Sequence, residues 1–148
     1  MPQHDDSQAN PIGCQFLQMF SGSYLPEDVT FLLKPVHLES TDIAEKEKLI
    51  QSGQRHYSEM ITREKLPSPR YLEIFHQALE QEKQRFARHL FLLARQIHRS
   101  RPGPITLVSL ARAGTPVGVI LTRILRSFFE RPVHHYSISI IRDRGIDE

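Results

Sequence analysis

Residues 105 to 141 constrain the fold more than any other part of the chain. "ITLVSL", Ile105–Leu110, is a nearly continuous apolar run, as in a strand of a parallel sheet covered on both faces. The run stops at Ala111-Arg112-Ala113-Gly114. "TPVGVILTRILRSFF" then restarts with helical spacing, with Pro116 near its beginning. "PVHHYSISII" follows as a second strand, apolar at nearly every other position. Strand, helix and strand at this spacing predict a right-handed βαβ unit and an α/β fold.

Two strands are few for a parallel sheet, which usually has about five. The second strand is expected to end the chain as an unpaired edge, a liability for a free protein. The 148 residues therefore read as the front of a larger domain, with a missing C-terminal part or an oligomeric partner completing the sheet. The closing "RDRGIDE" reads as the beginning of another connection.

The front of the chain has a different style. Residues 1–14 read as a flexible N-terminus, 15–104 as a mainly helical hood or subdomain, and 105–148 as the start of the α/β core. Phe16, Leu17 and Phe20 stand at helical spacing, with Gly22 closing a short helix. "PEDVTFLLKPV" is extended, though Pro35 argues against a central strand. "STDIAEKEKLIQSG" predicts a helix capped by Asp42, with Glu45 at the reciprocal position and Gly53 at its end. Ser68-Pro69 opens the longest helix, to about Arg99. Leu72, Phe75, Leu79, Phe86, Leu90, Leu93 and Ile97 form its apolar stripe, and its charges form a solvated face.

The chemistry centres on the turn after Leu110. Gly114 permits positive φ there. The following helix offers free N–H groups and the positive end of its dipole. Arg112 adds a planar donor fork suited to phosphate oxygens, and Thr115 adds a hydroxyl. Arg112, Ala113, Gly114 and Thr115 could form an anion cradle at the carboxyl end of a parallel strand. A tight βα corner with a solvent-facing arginine is the other reading. The turn is neither GxGxxG nor GxxxxGK[ST]. Arg142 and Arg144, leaving the second strand, could clamp a phosphate or form a surface ion-pair cluster. "HYS" occurs twice. His56 and Tyr57, with Glu59, could line an acceptor pocket or form a structural cluster. His135 and Ser137 face opposite His134 and Tyr136 on a strand and read as packing.

Composition excludes several classes. A formal net charge of +2 is too weak to argue for nucleic acid as a partner. Cys14 is the only cysteine, so neither an intrachain disulfide nor a Cys-cluster zinc site is expected. The eight histidines show no HExxH or comparable spacing, so no protein metal site is expected. The N-terminus is acidic and polar, unlike a signal peptide. No apolar run nears the ~20 residues that span a bilayer. These features predict a soluble cytoplasmic protein without a membrane partner.

Beyond physics, "LVSLARAGTPVGVILTRIL" resembles the first core strand, pyrophosphate loop and helix of type I phosphoribosyltransferases, with Arg112-Ala113-Gly114 where that family often has Arg/Lys-Gly-Gly. From "FSGSYLPEDVTFLLKPV" through "AEKEKLIQSGQRHYSEM" to "HYSISIIRDRGIDE" the chain resembles the StiP family, associated with bacterial tellurium-resistance and stress operons. The resemblance implies a helical hood followed by the first βαβ of a phosphoribosyltransferase-like sheet. It implies a small phosphorylated substrate, phosphoribosyl pyrophosphate or pyrophosphate, held by residues 111–115 with help from Arg142 and Arg144. It implies Mg2+ carried with that substrate, and His56, Tyr57 and Glu59 in the hood. The acidic Thr-Gly loop for ribose 5-phosphate does not appear, so this chain alone is expected to be inactive in transfer. A non-catalytic sensor of a nucleotide-like ligand is the alternative. Some members of the family carry the name cysteine protease. For that chemistry Cys14 is the sole thiol, and it would need a histidine in reach and a lowered pKa.

Overall fold

The computed structural model describes residues 19–141, 143 and 145–146. Strand β1 (Thr30–Phe31) is followed by helix α1 (Ile43–Gln51), a 3-10 turn (Tyr57–Glu59) and the long helix α2 (Pro69–Ser100). Strand β2 (Ile105–Leu110), helix α3 (Gly114–Phe129) and strand β3 (Val133–Ile138) form the expected βαβ unit. Two short strands, β4 (Ile140–Ile141) and β5 (Gly145–Ile146), pair antiparallel. The closing segment thus folds back as a hairpin where the sequence suggested a new connection. Gly145, first in β5, takes φ +106°, a conformation that a side chain would strain.

The main sheet is parallel, in the order β1-β3-β2. This corrects one expectation. The second strand of the βαβ unit is the central strand, because the front segment contributes β1 to its far side. Thr30 sits opposite Tyr136, and Ile105–Leu110 run in register with Val133–Ile138. The Pro35 argument holds: β1 has two residues and lies at the sheet edge. Phe20 does not end a helix. It bridges Phe31 in extended conformation, and the two rings stack at 5.2 Å. Phe16 and Leu17 lie outside the described residues.

Helix ends follow local chemistry. The Asp42 carboxylate accepts from the Ala44 N–H at 2.9 Å, and Gly53 takes φ +70° just past α1. The Ser68 hydroxyl oxygen accepts from the Tyr71 N–H at 3.2 Å, with Pro69 first in α2. The charges of α2 pair along its exposed face as Arg70–Glu73, Lys83–Glu80 and Arg85–Glu82. Such pairs add only about 0.2–0.5 kcal/mol each.

The core lies between α3, α2 and one face of the sheet. Leu90 and Ala94 of α2, Leu121 and Leu125 of α3, Ile105 and Val133 are its buried residues, with Ile97, Leu107, Val117, Ile124 and Phe129 packed around them. The apolar stripe of α2 is used only toward its C-terminal end. Leu72, Phe75, Leu79, Phe86 and Leu93 remain exposed. The sheet, too, is covered on one face only. Ile105, Leu107 and Ser109 point under α3, while Thr106, Val108 and Leu110 face away from it and are exposed.

Candidate functional site

A polar layer replaces apolar packing beneath the first turns of α3. The Ser109 hydroxyl lies 2.8 Å from His135 Nε2, and His135 Nδ1 lies 2.9 Å from the Asp28 carbonyl oxygen. A carbonyl only accepts, so Nδ1 carries the proton and Nε2 accepts from Ser109. Thr115 Oγ1 and Ser137 Oγ meet at 2.8 Å, and Thr122 donates to the Gly118 carbonyl at 2.9 Å. Ser109, Thr115, Thr122, His135 and Ser137 are all buried.

A hydroxyl, an imidazole and a carbonyl in line resemble the relay that activates a nucleophile. Here the relay is sealed. The His135 ring lies against Gly118, where even a methyl group would meet Cε1 at 2.6 Å. The layer therefore ties β2, β3 and the 25–29 segment under α3, in keeping with the packing role read for His135 and Ser137.

The 111–115 turn is open to solvent on its arginine side. Arg112 follows a cis peptide bond from Ala111, and its side chain is 93% exposed, 3.6 Å from Glu64 Oε1. Gly114 opens α3 without positive φ, so the backbone freedom expected of it is not used. Thr115 turns its hydroxyl inward to Ser137, and its N–H donates to the Arg112 carbonyl at 3.2 Å.

The structure brings His56, Tyr57 and Glu59 together. His56 caps the 3-10 turn, with Nδ1 2.8 Å from the Ser58 hydroxyl and its ring 4.3 Å from that of Tyr57. All three line an open cleft of about 520 Å³, with Gln54, Arg55 and Asp143 among the other walls. Cys14, Arg142 and Arg144 lie outside the described residues. Among the described residues, no three His, Cys, Asp or Glu side chains gather as a metal would need, and no helix is long and apolar enough to cross a membrane.

One ionic feature escaped the sequence reading. Arg123, mid-helix in α3, grips Asp28 with Nε to Oδ1 at 2.9 Å and Nη2 to Oδ2 at 2.5 Å. Asp28's side chain is only 3% exposed. Arg126 donates to the Glu27 and Val133 carbonyls at 2.6 and 2.5 Å. The available signal was the pair of cations inside an otherwise apolar helix. The Arg123 hydrogen bond holds the Asp28 carboxyl below its usual pKa. A carboxylate depressed in this way stabilises the fold above the unfolded value of about 3.9, and the contribution is lost as pH falls through the folded value. Acid titration followed by circular dichroism should show Asp28→Asn less stable than wild type at neutral pH. The difference should shrink as the pH falls below the unfolded value of about 3.9 and towards the lowered folded value; a constant difference across pH would contradict this account.

Comparison with known proteins places these features in a family. The family model described as "Tellurite-like stress resistance cysteine protease StiP" matches residues 22–148. "Cysteine protease StiP" of Acinetobacter baylyi is 54% identical over 130 residues, covering 88% of this chain and 34% of that protein. The chain thus spans about a third of the length of the curated relative it matches. No solved structure matches it. The match overturns the expectation of phosphoribosyl transfer: the family is described by a cysteine-protease activity, the reading the sequence placed last. The misleading element was the Arg-Ala-Gly turn, whose threonine hydroxyl is engaged in the core and whose arginine stands in solvent beside a glutamate. With the family match running from residue 22 through the whole α/β unit, the chain belongs to the StiP family.

Proposed function

We propose that the chain acts in tellurite-like stress resistance as part of a StiP protein, and that it supplies thiol chemistry through Cys14. The 54% identity to the Acinetobacter cysteine protease carries this reading. Cys14 is the only thiol in the sequence, so any thiol step performed by residues of this chain runs through it. The family match begins at residue 22, so Cys14 lies outside it and the thiol assignment rests on Cys14 being the chain's sole cysteine.

In such a reaction the thiolate attacks a peptide carbonyl and the amine leaves with a proton from an imidazole. Water then hydrolyses the thioester and restores the thiol. His135 is sealed under α3 and cannot approach a substrate. His56 lines the open cleft beside Tyr57 and Glu59, and is the histidine this reading assigns.

The test is peptide cleavage and survival under tellurite, measured on the intact protein with Cys14→Ser and His56→Gln. Both substitutions should lower cleavage on the order of 10³-fold or more, as loss of a nucleophile or its base does elsewhere. Unchanged cleavage in Cys14→Ser would move the nucleophile out of this chain. Unchanged cleavage in His56→Gln alone would leave the thiol assignment standing and replace the histidine.

A further inference from the structure

The main sheet is finished along one edge and one face. At the β1 edge, Leu32 donates its N–H to Ser137 on β3, and Phe31 donates outward to Phe20, both at 2.9 Å. Both sides of that short strand therefore have partners. The β2 edge differs. Ile105 and Ala111 donate toward β3, to Pro132 and Ile138, at 2.9 and 2.8 Å. The alternation of a strand ladder then turns the N–H and C=O groups of Thr106, Val108 and Leu110 away from β3. No described strand pairs with them.

The same three residues send their side chains to the uncovered face. Val108 is 60% exposed and Leu110 46%. Tyr136 and Ile138 continue that face on β3, and all these residues are neutral. Free edges are ordinarily defended by charge, proline or a bulge, and parallel sheets are ordinarily covered on both faces. Neither condition is met here, and the open edge and the bare face adjoin at the same residues.

We infer that β2 is an interior strand of a larger sheet. A further strand pairs along Thr106–Leu110, and a second layer covers the Val108–Tyr136–Ile138 face. The occupant is the part of a StiP-length protein that this chain does not match, about two thirds of the Acinetobacter relative. A second copy of the chain fits less well. A twofold pairing of β2 with β2 closes the edge but leaves the apolar face in water, whereas a strand with its following helix closes both.

The experiment is amide hydrogen exchange on two proteins. One is this 148-residue chain. The other is a chimaera in which the chain replaces the matched segment of the Acinetobacter protein. The amides of Thr106, Val108 and Leu110 should exchange rapidly in the first and on the order of 100-fold more slowly in the second. Those of Leu107 and Ser109, bonded to β3, should be protected in both. The aligned strand of the unaltered Acinetobacter protein provides the same reading should the chimaera misfold. Val108→Lys should leave the melting midpoint of the 148-residue chain unchanged and lower that of the chimaera by several degrees. Equal exchange at the three amides in the chain, the chimaera and the Acinetobacter protein overturns the inference. Protection in the 148-residue chain that rises with its concentration also overturns it, by assigning the edge to a second copy.

Discussion

Gly118→Ala should destabilise the protein by roughly 1–3 kcal/mol, the usual cost of overpacking a filled core. The sign is the informative part. In an exposed helix interior, glycine to alanine gains about 0.8–1 kcal/mol from backbone entropy alone. At position 118 the new methyl would lie 2.6 Å from Cε1 of His135 and nearer still to Nε2. The ring cannot easily retreat, because Ser109 holds one nitrogen and the Asp28 carbonyl the other. Relief would require α3 to lift off the sheet or the imidazole to abandon both bonds. Urea denaturation measures the effect, and a double-mutant cycle identifies its cause. In a His135→Ala background, itself destabilised, Gly118→Ala should cost much less or become favourable. An equal cost in both backgrounds would mean that the ring is not what the methyl meets.

Leu125→Ala should cost about 2–5 kcal/mol, the range for a leucine removed from a core that cannot collapse. Leu125 is completely buried, and its neighbours come from three directions: Leu90 and Ala94 on α2, Ile105 and Val133 on the sheet, and Leu121 one turn back. Domains of ordinary size have total stabilities of about 5–15 kcal/mol, so this loss is a large share. At roughly 2–4 °C per kcal/mol for this size class, the thermal midpoint should fall by at least several degrees. Phe86→Ala on α2 makes the control. That ring is half exposed, and its removal should cost far less despite its greater size. Similar losses in the two variants would show that the middle of α2 is buried in solution.

The βαβ unit was legible because each part carries its own signal. A nearly continuous apolar run of six residues gave β2, a 3.6-residue period gave α3, and alternation gave β3, with Val133, His135 and Ser137 turned inward. The N-caps of α1 and α2 were also readable, since Asp42 and Ser68 act on N–H groups within three residues. What stayed hidden depends on distant residues. Nothing local to Thr30–Phe31 says that it joins β3, and so the second strand was expected at the edge when it is central. Asp28 and Arg123 stand 95 residues apart, and each alone reads as a surface charge. The apolar stripe of α2 was correctly spaced, yet spacing cannot say how much of a stripe finds a partner. The functional inference failed for a related reason. Arg112, Gly114 and Thr115 have the composition of an anion cradle, but whether a threonine hydroxyl faces a ligand or a buried serine is decided by tertiary packing.

The joining of Thr30 to Tyr136 sets an order of events during synthesis. β1 leaves the ribosome about a hundred residues before the strand that receives it, an interval of roughly 5–20 s at ordinary elongation rates. Through most of that interval Val29 has no core to enter and Asp28 lacks its Arg123 partner, because α3 also emerges late. Helices α1 and α2 can form from local contacts in microseconds, but the sheet must wait for its central strand. Most of the contacts that define the α/β unit therefore close in one late step. The nascent chain carries its first strand, unpaired, until α3 and β3 have emerged.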